Sequence, residues 1–197
     1  DTDHPLIIKV ASIPTSRLQV YFIDNDDYFL KRQMATDENN EEYADNGERA
    51  IFFARGVLET VKKLRWVPDI VVCQGWMGAI VPFYIKKAFN EEPSFSNSKV
   101  VLSLFNDQLK KDLGEDFKDC IDFRGANAKL LNKYASNFNF MELNKLAIDY
   151  SDGVIEAGKH ANTELVKYAE SKGVPILRYP GDDYATAYKD FFNKLLD

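Results

Sequence analysis

The run Gln74-Gly75-Trp76-Met77-Gly78 directly follows the apolar stretch Asp69-Ile70-Val71-Val72-Cys73. In an open α/β sheet, ligands sit at the carboxyl ends of the strands. Glycines at such a junction let the backbone approach a ligand closely. A plain strand-to-helix turn is the alternative reading of the same residues. A dinucleotide or P-loop site has no support, because neither Gly-x-Gly-x-x-Gly nor a Walker sequence occurs. A second polar group is Tyr43-Ala44-Asp45-Asn46-Gly47-Glu48-Arg49. Asp45 or Asn46 suits a helix N-cap. Arg49 is then a surface charge, the partner of a neighbouring carboxylate, or part of a cleft wall.

Ser103, Cys73, Cys120 and His160 have the types of a nucleophile and a base, but no Gly-x-Ser-x-Gly elbow presents them. His160 reads better as an exposed residue near a helix cap. Asp26-Asp27, Glu41-Glu42 and Asp182-Asp183 are sequence neighbours whose carboxylates point apart, so they read as solvated turns. With two cysteines and two histidines, no spacing suits a structural zinc. No metal and no cofactor is expected. The cysteine usage fits a reducing compartment, hence a cytoplasmic protein.

The elements that must position these residues follow from periodicity. Residues 6–13 and 18–23 read as two strands of a hairpin. Asn25 or Asp26 caps a short helix through Arg32, and residues 36–43 form a polar surface loop. Ala50, Ala54, Val57, Leu58, Val61 and Leu64 make a helical stripe, with Lys62 and Lys63 near its end and Pro68 as its stop. Residues 69–73 read as a strand buried on both faces of a parallel sheet. A helix over 79–89, delayed by Pro82, and a strand over 100–104 follow. Residues 105–131 read as a functional loop with short helical pieces. Helices over 140–150 and 162–171 alternate with strands over 153–157 and 174–177. The last helix, capped by Asp182 or Asp183, carries Tyr184, Ala187, Tyr188, Phe191, Phe192, Leu195 and Leu196 as a stripe to pack on the sheet. This alternation predicts an α/β fold with a mostly parallel sheet flanked by helices, and a β-hairpin near the N-terminus.

The 197 residues suit a single domain. The net charge is −6, and no basic cluster exceeds a pair such as Lys62-Lys63 or Lys110-Lys111. Nucleic acid and anionic membrane are therefore excluded as expected partners, while a neutral polymer or small molecule is not. No apolar run has the length of a membrane span. Among 14 Phe, 10 Tyr and 2 Trp, most must be core. Tyr28, Phe29 and Trp76 are expected at the surface of a cleft, where a ring offers a sugar a flat apolar face.

Several segments in order resemble the N-terminal half of bacterial glycogen and starch synthases. They are Val20-Tyr21-Phe22-Ile23-Asp24, the 43–49 segment, Trp66-Val67-Pro68-Asp69-Ile70-Val71, and Trp76 with Ala79-Ile80-Val81-Pro82. Residues 100–106 resemble that family's strand ending in His-Asn, and residues 144–160 its Lys-x-x-x-x-x-Ala-Asp-x-x-x-x-Val-Ser segment. The resemblance implies a Rossmann-like domain of a GT-B glucosyltransferase. Such enzymes move glucose from ADP- or UDP-glucose to the non-reducing end of an α-1,4-glucan. It implies substrate-binding roles for Trp76, Asn106 and Arg49, with Asp45, Asn46, Gln74, Gly75 and Met77 lining the same cleft. No catalytic residue is assigned.

The departures from the family are chemical. Its His-x-His-Asp-Trp-His run stands here as Val72-Cys73-Gln74-Gly75-Trp76-Met77, and its His-Asn pair as Phe105-Asn106. Donors to a charged transition state are worth about 2.7–4 kcal/mol each. This chain alone is therefore expected to be inactive. The expected organisation is one synthase-like N-terminal domain over residues 1–197 that lacks its first strand and helix, with exposed sheet edges or a partner domain or second copy. Expected ligands are an α-glucan or maltooligosaccharide and a nucleotide sugar. Two other readings compete: a non-catalytic glucan-binding or regulatory domain, and a Rossmann-like domain taking an anionic metabolite at the Gly75/Gly78 turn.

Overall fold

The computed structural model describes residues 4–197. Strands β1 (Ile7–Ile13) and β2 (Leu18–Asp24) pair antiparallel, with Ile7 opposite Asp24 and Ile13 opposite Leu18, as the sequence predicts. Apolar residues lie on both faces of this hairpin, and Val10, Leu18 and Phe22 are more than half exposed. The helix expected through Arg32 is a single turn, α1 (Asp26–Phe29). Asn25 caps it by accepting the Asp27 and Tyr28 N–H groups at 3.0 and 3.2 Å.

The long helix is α2 (Asn46–Lys63), which buries Ala50, Ile51, Ala54 and Leu58. Asp45 occupies its N-cap position, but neither Asp45 nor Asn46 caps it with a side chain, contrary to expectation. Other partners have taken both groups, as described below. Lys62 and Lys63 complement the dipole in the last turn. Arg65 then turns left-handed at φ 54°, so the helix has already ended before Pro68.

A four-stranded parallel sheet has the order β3 (Ile70–Gln74), β4 (Lys99–Leu104), β5 (Gly153–Glu156), β6 (Ile176–Leu177). Gln74 lies beside Ser103, and Ser103 beside Ile155. The strand expected to be buried on both faces is instead a border strand. Only Cys73 of β3 is buried and Val72 is 38% exposed. An apolar run cannot report how many neighbours a strand has; β4, with a strand on each side, is the buried one.

The expected Gln74–Gly78 turn is a one-turn helix, α3 (Gly75–Gly78), followed by α4 (Val81–Lys87). Pro82 sits in the first turn of α4, where its missing N–H costs no helical bond. The 105–131 loop contains α5 (Phe117–Cys120) and a 3-10 turn, Ala128–Leu131. Helices α6 (Phe140–Asp149) and α7 (Thr163–Ser171) are capped by Asn139 and Asn162.

The final helix is α8 (Tyr184–Leu196). Of its stripe, Ala187, Tyr188, Phe191, Phe192 and Leu195 are half-buried while Tyr184 and Leu196 are exposed, where packing on the sheet was expected. The helix rests on Gly153 at the start of β5, where an added Cβ would meet Phe191 and Leu195 at 2.9 Å. Asp183 fills the N-cap position of α8 without a side-chain bond.

One carboxylate gathers the α6–α7 side of the core. Asp149 accepts from Lys133 (2.7 Å), the Tyr134 hydroxyl (2.6 Å) and the Tyr168 hydroxyl (2.9 Å). Burial alone would raise its pKa. The three donors outweigh burial and hold the carboxyl below the usual carboxylate range. Among the described residues, no helix is long and apolar enough to cross a membrane.

Candidate functional site

At the carboxyl ends of β3 and β4 the chain leaves a cavity of about 580 Å³. The β3 side supplies Gln74, Gly75, Trp76 and Met77. Gly75 has φ +68°, the left-handed conformation that turns the strand into α3 with little strain. The Trp76 N–H donates to Asp107 Oδ2 at 3.1 Å, tying this turn to the loop after β4. That loop adds Phe105, Asp107 and Gln108, and Met34 and Ala35 close the cavity from a third segment.

Trp76 does not stand exposed at the cleft, as expected, but is 4% exposed and forms part of the floor. Tyr28 is likewise buried, its hydroxyl donating to Glu48 Oε2 at 3.2 Å, and Phe29 is half-buried. Burial and the Glu48 carboxylate push the Tyr28 phenol up to about 12. Both rings gain more by filling the core than by waiting for a ligand. Asn106 is exposed beside the cavity without lining it.

Asp45, Asn46 and Arg49 lie outside the cavity wall and act on the segment that forms it. Arg49 is 2% exposed, neither a surface charge nor a cleft residue. Its guanidinium donates to the backbone carbonyls of Tyr28 (3.0 Å), Gln33 (3.0 Å) and Met34 (2.9 Å), and to Asn46 Oδ1 (2.7 Å). Asn46 in turn donates to the Ala35 carbonyl at 2.9 Å. Five planar donors suit such a convergent set of acceptors, which a point-charge lysine does not. Burial lowers the Arg49 pKa, and the positive charge of Arg32 acts in the same direction.

Asp45 pairs with Arg32 through two bonds of 2.7 and 2.5 Å, and Arg32 lies over the Tyr43 ring at 4.1 Å. This pairing holds the Asp45 carboxyl below the usual carboxylate range. It also explains why Asp45 is not free to cap α2. Glu42 accepts the N–H groups of Lys110 and Lys111 at 2.7 Å each, clasping the 36–43 loop to the loop after β4. Two clasps therefore set where Met34 and Ala35 stand relative to Phe105 and Gln108.

The other chemical candidates do not converge on this place. Cys73 is buried, and burial pushes its thiol up to about 12, so it carries no thiolate at neutral pH. Cys120 and His160 are exposed. The Ser103 hydroxyl is buried without a hydrogen-bond partner and does not line the cavity. No trio of His, Cys, Asp and Glu side chains among the described residues is grouped to hold a metal. Strand-end position marks Phe105 and Asp107 in the sequence, but nothing there marks Met34 and Ala35, whose placement depends on the Arg49 clasp.

The cavity thus combines apolar surfaces from Met34, Trp76, Met77 and Phe105 with the amides of Gln74 and Gln108 and one carboxylate. No lysine or arginine lines it. That composition suits a neutral, hydroxyl-rich ligand with apolar faces.

The family model described as the starch synthase catalytic domain matches residues 2–176. Among curated proteins, the glycogen synthase of Chlorobium limicola is 37% identical over 107 residues, covering 54% of this chain and 22% of that protein. The glycogen synthase of Photobacterium profundum is 28% identical over 188 residues, covering 93% of this chain and 34% of that protein. The chain thus spans about a fifth to a third of the length of these relatives. Among solved structures, the catalytic domain of starch synthase IV from Arabidopsis thaliana, bound to ADP and acarbose, aligns with a TM-score of 0.64. That alignment covers 87% of this chain and 36% of the other at 16% identity, a likeness of fold.

Proposed function

The chain belongs to the starch synthase catalytic-domain family, and from that premise we propose that residues 1–197 form the acceptor side of a glycogen- or starch-synthase-type glucosyltransferase. On this reading the strand-end cavity takes an α-1,4-glucan or maltooligosaccharide, and the chain alone transfers no glucose.

The observation that carries the reading is the cavity's composition. Four apolar side chains and two amides meet where the family, by resemblance, places a histidine- and aspartate-rich run. A glucosyl ring has apolar C–H faces for Met34, Met77 and Phe105 and hydroxyls for Gln74 and Gln108. A nucleotide sugar carries a diphosphate, which calls for cationic donors. None lines this cavity, so ADP- or UDP-glucose would be held mainly by groups outside it. Trp76 and Gly75 shape the floor, while Asp45, Asn46 and Arg49 are positioning residues. Asn106, at the rim, is the side chain we assign to ligand hydroxyls beyond the cavity.

The unpaired border of β3 and the apolar hairpin favour a neighbouring domain or a second copy as partner. Two free cysteines agree with a cytoplasmic setting. The cavity, with no cationic side chain in its lining, equally favours a glucan-binding regulatory domain with no synthase partner; the transfer assay below separates the two.

Calorimetric titration with maltoheptaose, and separately with ADP-glucose and UDP-glucose, tests the reading. Saccharide heat without donor heat is expected. Donor heat, or silence with maltoheptaose, overturns it. Glucose transfer that appears when nucleotide-binding sequence is supplied in trans identifies the synthase part; saccharide binding without it identifies the regulatory domain.

A further inference from the structure

The β1–β2 hairpin is a two-stranded sheet of its own, separate from the parallel sheet. Its inner face is turned to α2, since a Cβ added to Gly56 would meet Ile23 and Leu6 at 2.9 Å. Residues opposite each other in an antiparallel pair point to the same side. Ile8, opposite Ile23, therefore shares the inner face. The outer face carries Ile7, Ala11 and Ile13 of β1 with Val20, Phe22 and Leu18 of β2, and its two charges, Lys9 and Asp24, pair with each other.

A sheet covered on one side normally turns polar residues to the other. Here the outward residues are apolar. Phe22 and Leu18 are 51% and 56% exposed, and Ile7 and Ile13 are 43% and 44%. A chain of net charge −6 is repelled by an anionic lipid surface, and Asp24 already neutralises the lysine such a surface would attract.

The face is complementary to itself. When two copies stack about a two-fold axis parallel to the strands, β1 of each lies over β2 of the other. The register then sets Ile13 over Leu18 of the second copy, Ala11 over its Val20 and Lys9 over its Phe22. Lys9 also comes within one row, about 7 Å along the strand, of the second copy's Asp24. Each lysine is shared by two carboxylates, and the four charges cancel. We infer that this face is an isologous dimer interface, occupied by the same face of a second copy of the chain. The inference chooses the second copy over a neighbouring domain as the hairpin's partner, and it holds whether or not the strand-end cavity takes a glucan. Two seven-residue strands cover about 23 by 10 Å. Stacking them buries on the order of 400 Å² per copy, about half of a standard stable interface. The dimer is therefore weak, with a Kd of about 10–100 µM, above the range of standard-sized interfaces.

Sedimentation equilibrium of the whole chain, without saccharide, from about 5 to about 500 µM brackets that Kd. A monomer–dimer equilibrium is expected. Phe22→Lys and Leu18→Lys should each weaken it by about tenfold or more, since each sets an unpaired charge in the contact. Both positions are exposed, so Tm at low concentration should stay within about 2 °C of the parent. Lys9→Glu and Asp24→Lys should each be monomeric alone, because each gives the face two like charges, and should dimerise when mixed one to one. That rescue requires the charges to meet between copies, which a merely structural Lys9–Asp24 pair does not. A chain that stays monomeric to about 500 µM overturns the inference, whether or not it sediments with phosphatidylcholine vesicles. A dimer that survives Phe22→Lys and Leu18→Lys, as pairing edge to edge would, also overturns it. So does a mixture of Lys9→Glu and Asp24→Lys that remains monomeric.

Discussion

Replacing Arg49 by methionine should release one wall of the strand-end cavity. The substitution keeps a long side chain on α2 but removes every donor to Tyr28, Gln33, Met34 and Asn46. Each backbone carbonyl stranded in a buried place costs about 1–3 kcal/mol. The 30–35 segment lies near the surface and can open to water, which caps the sum. A total of about 3–5 kcal/mol is expected, similar to removing one partner of a buried charged pair. At this chain length that corresponds to a fall in Tm of about 6–20 °C. Calorimetric melting measures the fall, and amide hydrogen exchange locates it. Exchange should quicken first at residues 33–35, ahead of β4 and α6. Arg49→Lys keeps the charge without the planar fork and should lose about half as much. The reasoning is refuted if Arg49→Met melts within about 2 °C of the parent, less than 1 kcal/mol at this size. Unchanged exchange at residues 33–35 refutes it as well.

Other perturbations read different parts of the molecule. Gly47→Ala would gain about 0.5–1 kcal/mol of helix propensity, but its Cβ would come 2.4 Å from the Leu113 carbonyl oxygen. A net loss of about 1–2 kcal/mol in urea unfolding is expected, since overpacking of this kind costs about 1–3 kcal/mol. Asp149 has a folded pKa below its unfolded value, so its contribution is present above about pH 4 and lost as pH falls through the folded value. Asp149→Asn should therefore lower Tm at pH 7 and show a smaller further drop than the parent between pH 4 and pH 2. Met34→Ala should weaken maltoheptaose binding by about two- to tenfold in calorimetry with Tm nearly unchanged, because Met34 is 68% exposed and its loss removes about 1 kcal/mol of contact. A large fall in Tm would instead show Met34 to be structural.

The periodic elements were legible because their signals are local. The α2 stripe, the Asn25 cap and the short apolar run of β4 each lie within a few residues of what they determine. Relations across the chain were not legible. Arg49 meets carbonyls 15 to 21 positions away, and no spacing within α2 announces that. Asp45 looked like a cap because its type and position are those of one, yet Arg32, 13 positions back, is the stronger claimant. The apolar run at β3 predicted double-sided burial, but burial depends on what lies alongside, and among the described residues no strand pairs with its outer side. Trp76 and Tyr28 illustrate the same limit for aromatic residues, since a ring suited to a sugar face is equally suited to a core. Gln74, Gly75 and Met77 line the strand-end cavity because strand ends are set by topology alone.

The Arg49 clasp touches only main-chain oxygens of residues 28, 33 and 34, so it is indifferent to which side chains that segment carries. Positions 30, 33 and 34 can thus be rewritten, with Arg32 kept for its pair with Asp45, while the backbone path is conserved. A library built there would explore ligand preference without spending stability. Swapping Met34 for tyrosine, glutamine or arginine would change what the cavity mouth recognises on an otherwise fixed scaffold. The molecule in effect separates the fastening of its wall from the wall's chemical content.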